Sequence, residues 1–122
     1  MQFRATHKKA DISPRKVKGV VKLIRGRHVN DALQILRATD KRASHLVDRV
    51  LRSAMANADQ SMDADMEALY VVEARVDEGP HGGPEHMRWR FRARGRAAPI
   101  RHRTSHIAIV VDDGQEQTQA EQ

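Results

Sequence analysis

Apolar residues first recur with a helical period at Val17, Val20, Val21 and Ile24, spaced i, i+3, i+4 and i+7. That spacing lays them in one stripe of an amphipathic helix. Ser13 and Pro14 predict its start, as N-cap and first helical residue, and Gly26 predicts its end. Arg15, Lys16, Lys18 and Lys22 fall largely outside the stripe. A second, short helix is predicted from Asn30, burying Ala32, Leu33 and Leu36. A third is predicted over about Asp40 to Gln60, with the stripe Ala43, Leu46, Val47, Val50, Leu51, Ala54 and Ala58.

The period then changes. Tyr70, Val72, Ala74 and Val76 alternate with Glu73, Arg75 and Asp77, the pattern of a half-buried strand. "HIAIVV", residues 106–111, is a second β-branched run. The stretch between them, residues 79–105, is too long and too charged for an ordinary turn. Inside it "RWRFRARGR", residues 88–96, places an arginine at every second position. A helix would scatter these over two faces, whereas a strand would gather Arg88, Arg90, Arg92, Arg94 and Arg96 on one, roughly 6.6 Å apart. Trp89, Phe91, Ala93 and Gly95 would form the other face. The expected structure is an extended hairpin too poor in apolar residues for its own core, and therefore dependent on a partner for order.

Charge sharpens this picture. The 122 residues carry a net charge of +6, and they are segregated: residues 1–27 sum to +8, 28–78 to −4, 79–106 to +6 and 107–122 to −4. Two basic segments flanking an acidic middle favour a polyanionic partner over a merely soluble surface. Residues 79–106 contain arginine but no lysine, and the planar guanidinium grips phosphate bidentately and stacks on bases. Nucleic-acid binding is the reading that follows.

Other chemistries fit poorly. There is no cysteine, so disulfides and thiolate metal sites are excluded. His81/His86 and His102/His106 are the closest histidine pairs, and histidine among arginines reads better as another phosphate or base contact than as a zinc ligand. "GPHGGP" lacks the Lys-Ser/Thr ending of a phosphate loop, and Asp77 and Glu78, adjacent on a strand, point to opposite faces. No catalytic residue, metal or other cofactor is expected. No apolar run approaches the roughly 20 residues of a membrane span, and "MQFRATHKKADIS" has no signal-peptide core, so a soluble cytoplasmic protein is expected.

The segments "SPRKVKGVVKLIRG" (13–26), "SAMANAD" (53–59), "VDEGP" (76–80), "RARGRA" (92–97) and "RTSHI" (103–107) occur in an order and spacing that resemble the L-twenty-two family of large-subunit ribosomal proteins, over about residues 5–112. The resemblance implies an α+β fold: a small three-stranded antiparallel sheet packed against three helices, with a long β-hairpin over about residues 79–105. It adds a strand near Arg4–Ile12 that periodicity does not reveal. The single domain would span residues 1–112, followed by a disordered, acidic, Gln-rich tail at 113–122. The implied role is that of a structural constituent of the large subunit, which binds large-subunit rRNA during assembly and whose hairpin reaches the wall of the nascent-peptide exit tunnel. Its partners would be that rRNA, neighbouring ribosomal proteins and, at the hairpin tip, the nascent peptide; the free protein would be a monomer.

Matched position by position, Lys8, Lys9, Arg15, Lys16 and Lys18 would meet RNA from the body. Arg92, Arg94 and Arg96 would do so from the hairpin, joined by Arg88 and Arg90 of the arginine row, with Arg101, Arg103 and His106 near its base. Trp89 and Phe91 would stack on bases, pack on the opposing strand or face the tunnel. The segment "HGGPEHMRWR" is a few residues longer than usual in the family, and Phe91 stands where a proline is common. A DNA-bending protein with a β-ribbon arm is the alternative; it predicts a dimer and an apolar wedge, usually with proline, at the arm tip.

Overall fold

The computed structural model of the chain describes residues 1–80 and 88–114. Strand β1 (Gln2–Ala10) leads into helices α1 (Pro14–Ile24), α2 (Val29–Ala38) and α3 (Arg42–Gln60). Strand β2 (Tyr70–Glu78), the short strands β3 (Arg88–Phe91) and β4 (Ala97–Ile100), and β5 (Ser105–Asp112) follow. The body is an antiparallel sheet in the order β1-β5-β2, while β3 and β4 pair separately. This is the expected α+β architecture, and β1 supplies the strand that only the resemblance implied.

The helices pack on one face of the sheet because their stripes have nowhere else to go. Val17, Val20, Val21 and Ile24 of α1 are buried, as are Ala43, Val47, Val50, Leu51, Ala54 and Ala58 of α3. They meet Ile107, Ile109 and Val111, the alternate inward residues of the central strand β5. Pro14 opens α1 as predicted. Gly26 follows its end at φ +73°, a left-handed conformation suited to glycine, and donates its N–H to the Val71 carbonyl at 2.9 Å. Helix α2 begins one residue earlier than predicted, with Val29 buried and the His28 ring accepting from the Asn30 N–H. Leu33 and Leu46 are half-buried at the margins of the core.

Strand β2 corrects the simple alternation. Its register against β5 shifts between Val71 and Glu73, so Val72 is an extra, bulged residue. Val71, Ala74 and Val76 therefore face the core, while Tyr70 and Val72 lie outside it with 39% and 42% of their surface exposed. The bulge shifts the strand by one residue, which exchanges its faces on the side before it.

Met1 meets the end of β5 at one end of the sheet. Asp113, which composition assigns to the tail, is buried. Its carboxylate accepts from the Met1 ammonium at 3.1 Å and from the Asp65 N–H at 3.3 Å, and Asp112 also pairs with that ammonium at 3.3 Å. Burial disfavours the ammonium charge, but the hydrogen bonds to Asp113 and Asp112 outweigh it and raise its pKa above the usual 8.0. The remainder of the expected tail, 115–122, lies outside the described residues. Among the described residues no helix is long and apolar enough to cross a membrane.

Candidate nucleic-acid interface

The hairpin is built from four cross-strand pairs: Arg88 with Ile100, Trp89 with Pro99, Arg90 with Ala98, and Phe91 with Ala97. Directly opposed residues share a face. One face thus carries Arg88 and Arg90 beside Ile100 and Ala98; the other carries Trp89 and Phe91 beside Pro99 and Ala97. For these residues the expected separation of cationic and apolar sides holds.

It does not extend over the whole arginine row. The strand stops at Phe91, and "RARGR" forms the turn, closed by the Arg92 N–H on the Arg96 carbonyl at 2.7 Å. Arg94 and Gly95 are both left-handed, at φ +63° and +70°. Arg92 and Arg96 stay extended and oppose each other in the register of the four pairs, on the face of Arg88 and Arg90, whereas the left-handed pair reverses the chain and takes Arg94 out of the row. Gly95 is needed there for its conformation, not for space, because a Cβ on it would meet nothing within 4 Å. The tip carries no proline or large apolar wedge, contrary to the DNA-bending alternative: Pro99 lies in β4, and Pro84 falls outside the described residues.

At its base the hairpin is tied to the body. Gly79 donates its N–H to the Thr104 carbonyl at 2.9 Å, and the Thr104 hydroxyl donates to the Pro80 carbonyl at 2.6 Å. One residue further, the buried Ser105 hydroxyl donates to the Ile12 carbonyl at 2.6 Å, fixing the start of β5 against the turn into α1. These polar ties were not read from the sequence; Gly79-Pro80 was its trace of them.

The cations fall into two groups. Some are engaged within the fold: Arg25 donates to the Ala74 carbonyl, Arg27 to the Leu23 carbonyl, Arg42 pairs with Asp11, Arg52 with Asp48, and Arg75 bridges Glu73 and Asp77. The second group includes Arg15, Lys16 and Lys18 on the outer side of α1, Lys8 on β1, the hairpin's Arg88, Arg90, Arg92, Arg94 and Arg96, and Arg101 and Arg103 before β5. All are exposed, and none pairs with a carboxylate among the described residues. Trp89 and Phe91 add apolar surface, 60% and 92% exposed.

Lys9 and His106 form a local device. The register of β1 against β5 breaks between His7 and Ala10, and Lys9 turns left-handed at φ +59°. Its N–H is then accepted by His106 Nδ1 at 3.1 Å. A ring nitrogen that accepts carries no proton, so His106 Nε2 is left as the donor. Among the described residues no cluster of three or more His, Cys, Asp or Glu could hold a metal ion, and His81 and His86 lie outside them.

Comparison with known proteins agrees with this geometry. The family described as Ribosomal protein L22p/L17e matches residues 5–112. The "Large ribosomal subunit protein uL22" of Halothermothrix orenii is 48% identical over 116 residues, covering 95% of this chain and 99% of that protein. Its counterpart in Carboxydothermus hydrogenoformans is 49% identical over 116 residues, with the same coverage. The one in Thermoanaerobacter sp. strain X514 is 51% identical over 114 residues, covering 93% of this chain and 98% of its own. A match through body, hairpin and final strand alike makes the assignment plain: this chain belongs to the Ribosomal protein L22p/L17e family.

Proposed function

We propose that the chain is a structural constituent of the large ribosomal subunit that binds its rRNA during assembly and sends the arginine hairpin to the wall of the peptide exit tunnel. Its work is charge neutralisation and shape recognition, with no chemical step. The observation that carries this reading is the hairpin itself. Five arginines crowd a two-stranded ribbon without a carboxylate partner among the described residues, and nothing in the body requires them there. In isolation they repel one another; among RNA phosphates they bridge segments that otherwise repel.

Arg15, Lys16 and Lys18 extend the same contact from α1, and Arg101, Arg103 and His106 continue it at the hairpin base, with Lys8 and Lys9 alongside on β1. Trp89 and Phe91 supply stacking surfaces, or contact the nascent peptide where the hairpin meets the tunnel. Neighbouring large-subunit proteins complete the surroundings, and before assembly the chain is a cytoplasmic monomer.

A salt titration tests this. The seven arginines of residues 79–106 should lower affinity for a large-subunit rRNA transcript on the order of a thousandfold between about 50 and 200 mM salt. A nearly flat titration would overturn the proposal.

A further inference from the structure

Strand β1 and helix α3 lie side by side in opposite directions, and the seam between them is fastened at both ends. At one end Asn57 donates its side-chain amide to the Arg4 carbonyl at 2.8 Å. At the other, the Arg42 guanidinium meets Asp11 at 3.7 Å. Between these ties the seam opens into a cleft of about 240 Å³. Thr6, His7 and Lys8 line it from the strand, and Arg49, Val50 and Ser53 from the helix. β1 is an edge strand, paired with β5 alone. On such an edge strand alternate backbone N–H and C=O groups face away from the one partner strand.

The cations beside the cleft are not equivalent. Arg42 and Arg52 are paired with Asp11 and Asp48, the latter at 3.0 Å. Lys8 and Arg49, on opposite walls, have no carboxylate partner among the described residues. The cleft therefore presents uncompensated positive charge from both sides, with the Ser53 hydroxyl and a strand edge between. Arg49 escapes a segment-by-segment charge sum because it lies within residues 28–78, which sum to −4.

We infer that this cleft holds a backbone phosphate of rRNA, gripped between Lys8 and Arg49 with the Ser53 hydroxyl as a further donor. The inference rests on the proposed rRNA-binding function and adds a contact on the helical side of the body, apart from the hairpin. Among the described residues lining the cleft His7 has the one ring, and the two facing cations make the site a phosphate grip, a contact that positions the RNA. A peptide strand added to the free edge of β1 fits less well. Strand addition draws specificity from pockets for alternate side chains, and Val50 is the main apolar group here beside Ala5.

The test is filter binding of the full chain to a large-subunit rRNA transcript over a range of salt, for the unaltered protein, Lys8→Gln and Arg49→Gln. Each substitution should lower the log–log salt slope by about 0.7 and weaken binding about fivefold at about 0.1 M salt, and the pair together by about twice that slope. Arg49→Lys, which keeps the charge, should keep the slope; Ser53→Glu, which puts a carboxylate into the cleft, should weaken binding. Unchanged thermal midpoints verify that each variant folds. A steep slope in the unaltered protein that both Gln variants retain in full would overturn this site and leave the hairpin reading standing. A flat slope in the unaltered protein would overturn that parent reading instead. Full RNA binding by the variants with impaired uptake into large subunits would give the cleft to a protein partner, and would overturn the phosphate site as well.

Discussion

Gly79 and Thr104 touch so closely that the glycine has no room for a side chain. A Cβ on Gly79 would stand 2.5 Å from the Thr104 hydroxyl oxygen and 3.2 Å from the Thr104 carbonyl carbon and oxygen. That oxygen is not free to turn away, because the hydroxyl donates to the Pro80 carbonyl at 2.6 Å. Backbone therefore crosses backbone where the chain leaves the body for the hairpin and returns. Gly79→Ala should destabilise the protein by about 1–3 kcal/mol, the usual range for overfilling a packed site. Urea unfolding measures it. Thr104→Ala in the same molecule removes the hydroxyl but leaves the backbone contact, so the double variant should fall short of the sum of the singles.

The second prediction concerns pH. The Met1 ammonium sits between Asp112 and Asp113, and its pKa is raised above 8.0. A group whose folded-state pKa exceeds its unfolded value contributes stability that is complete below the unfolded pKa. That contribution fades as pH rises through the folded one. Stability from this pair should be constant through neutral pH and decline above about pH 8. Asp113→Asn removes one of the two charges that hold the proton, so it should be less stable at pH 7 and lose less between pH 7 and 10. Denaturation midpoints of both proteins across that range decide it; parallel curves would show that the ion pair contributes nothing.

How much of this was legible in the sequence depends on whether a feature is local. The stripes of α1 and α3 were readable because each helix turns all its apolar residues to one side, and Gly26 marked an end that its φ of +73° confirms. β1 was not readable from periodicity, since its inward positions are Phe3, Ala5 and His7, too weakly apolar to declare a buried face. The bulge at Val72 was invisible for another reason: register is a property of two strands, and β5 lies more than 30 residues away. The arginine row was read as one continuous strand, although Gly95 within it was the local sign of a turn. Charge was legible in sign and not in availability. Arg25, Arg27 and Arg42 entered only as summed charge, and their partners came from distant or unremarkable positions.

The turn carries a third prediction. Arg94 already holds a left-handed conformation, and Gly95 follows it at φ +70°. Gly95→Val places a β-branched residue where an L side chain is disfavoured by about 1–2 kcal/mol. The tip should respond by shifting its register, while the body, whose core lies around Ile109 and Leu51, keeps its thermal midpoint. Loss of the cross-strand NOE between Trp89 and Pro99 without a change in midpoint is the expected result. An unaltered NOE pattern would mean that the turn tolerates the substitution and that β3–β4 pairing alone sets the register.

The last prediction separates the two faces of the hairpin. Arg88 and Arg90 stand on one, Trp89 and Phe91 on the other, and the pairing with Ile100, Pro99, Ala98 and Ala97 fixes that division. If the charged face lies along phosphates, Arg90→Ala should lower the salt slope of rRNA binding by about 0.7, because one counterion-releasing contact is lost. Trp89→Ala should act differently. It removes stacking worth about 1–3 kcal/mol per base and no charge, so affinity falls while the slope stays as it was. Since the two side chains act through different physics from opposite faces, their effects on affinity should add within about 0.5 kcal/mol. Filter binding of the two singles and the double over a salt series reads all of these quantities. Unchanged RNA affinity in Trp89→Ala would place the indole against the tunnel lumen, where the nascent chain passes. An unchanged slope in Arg90→Ala would remove the phosphate-facing row and leave the tip arginines, Arg92, Arg94 and Arg96, to carry the hairpin's contact alone.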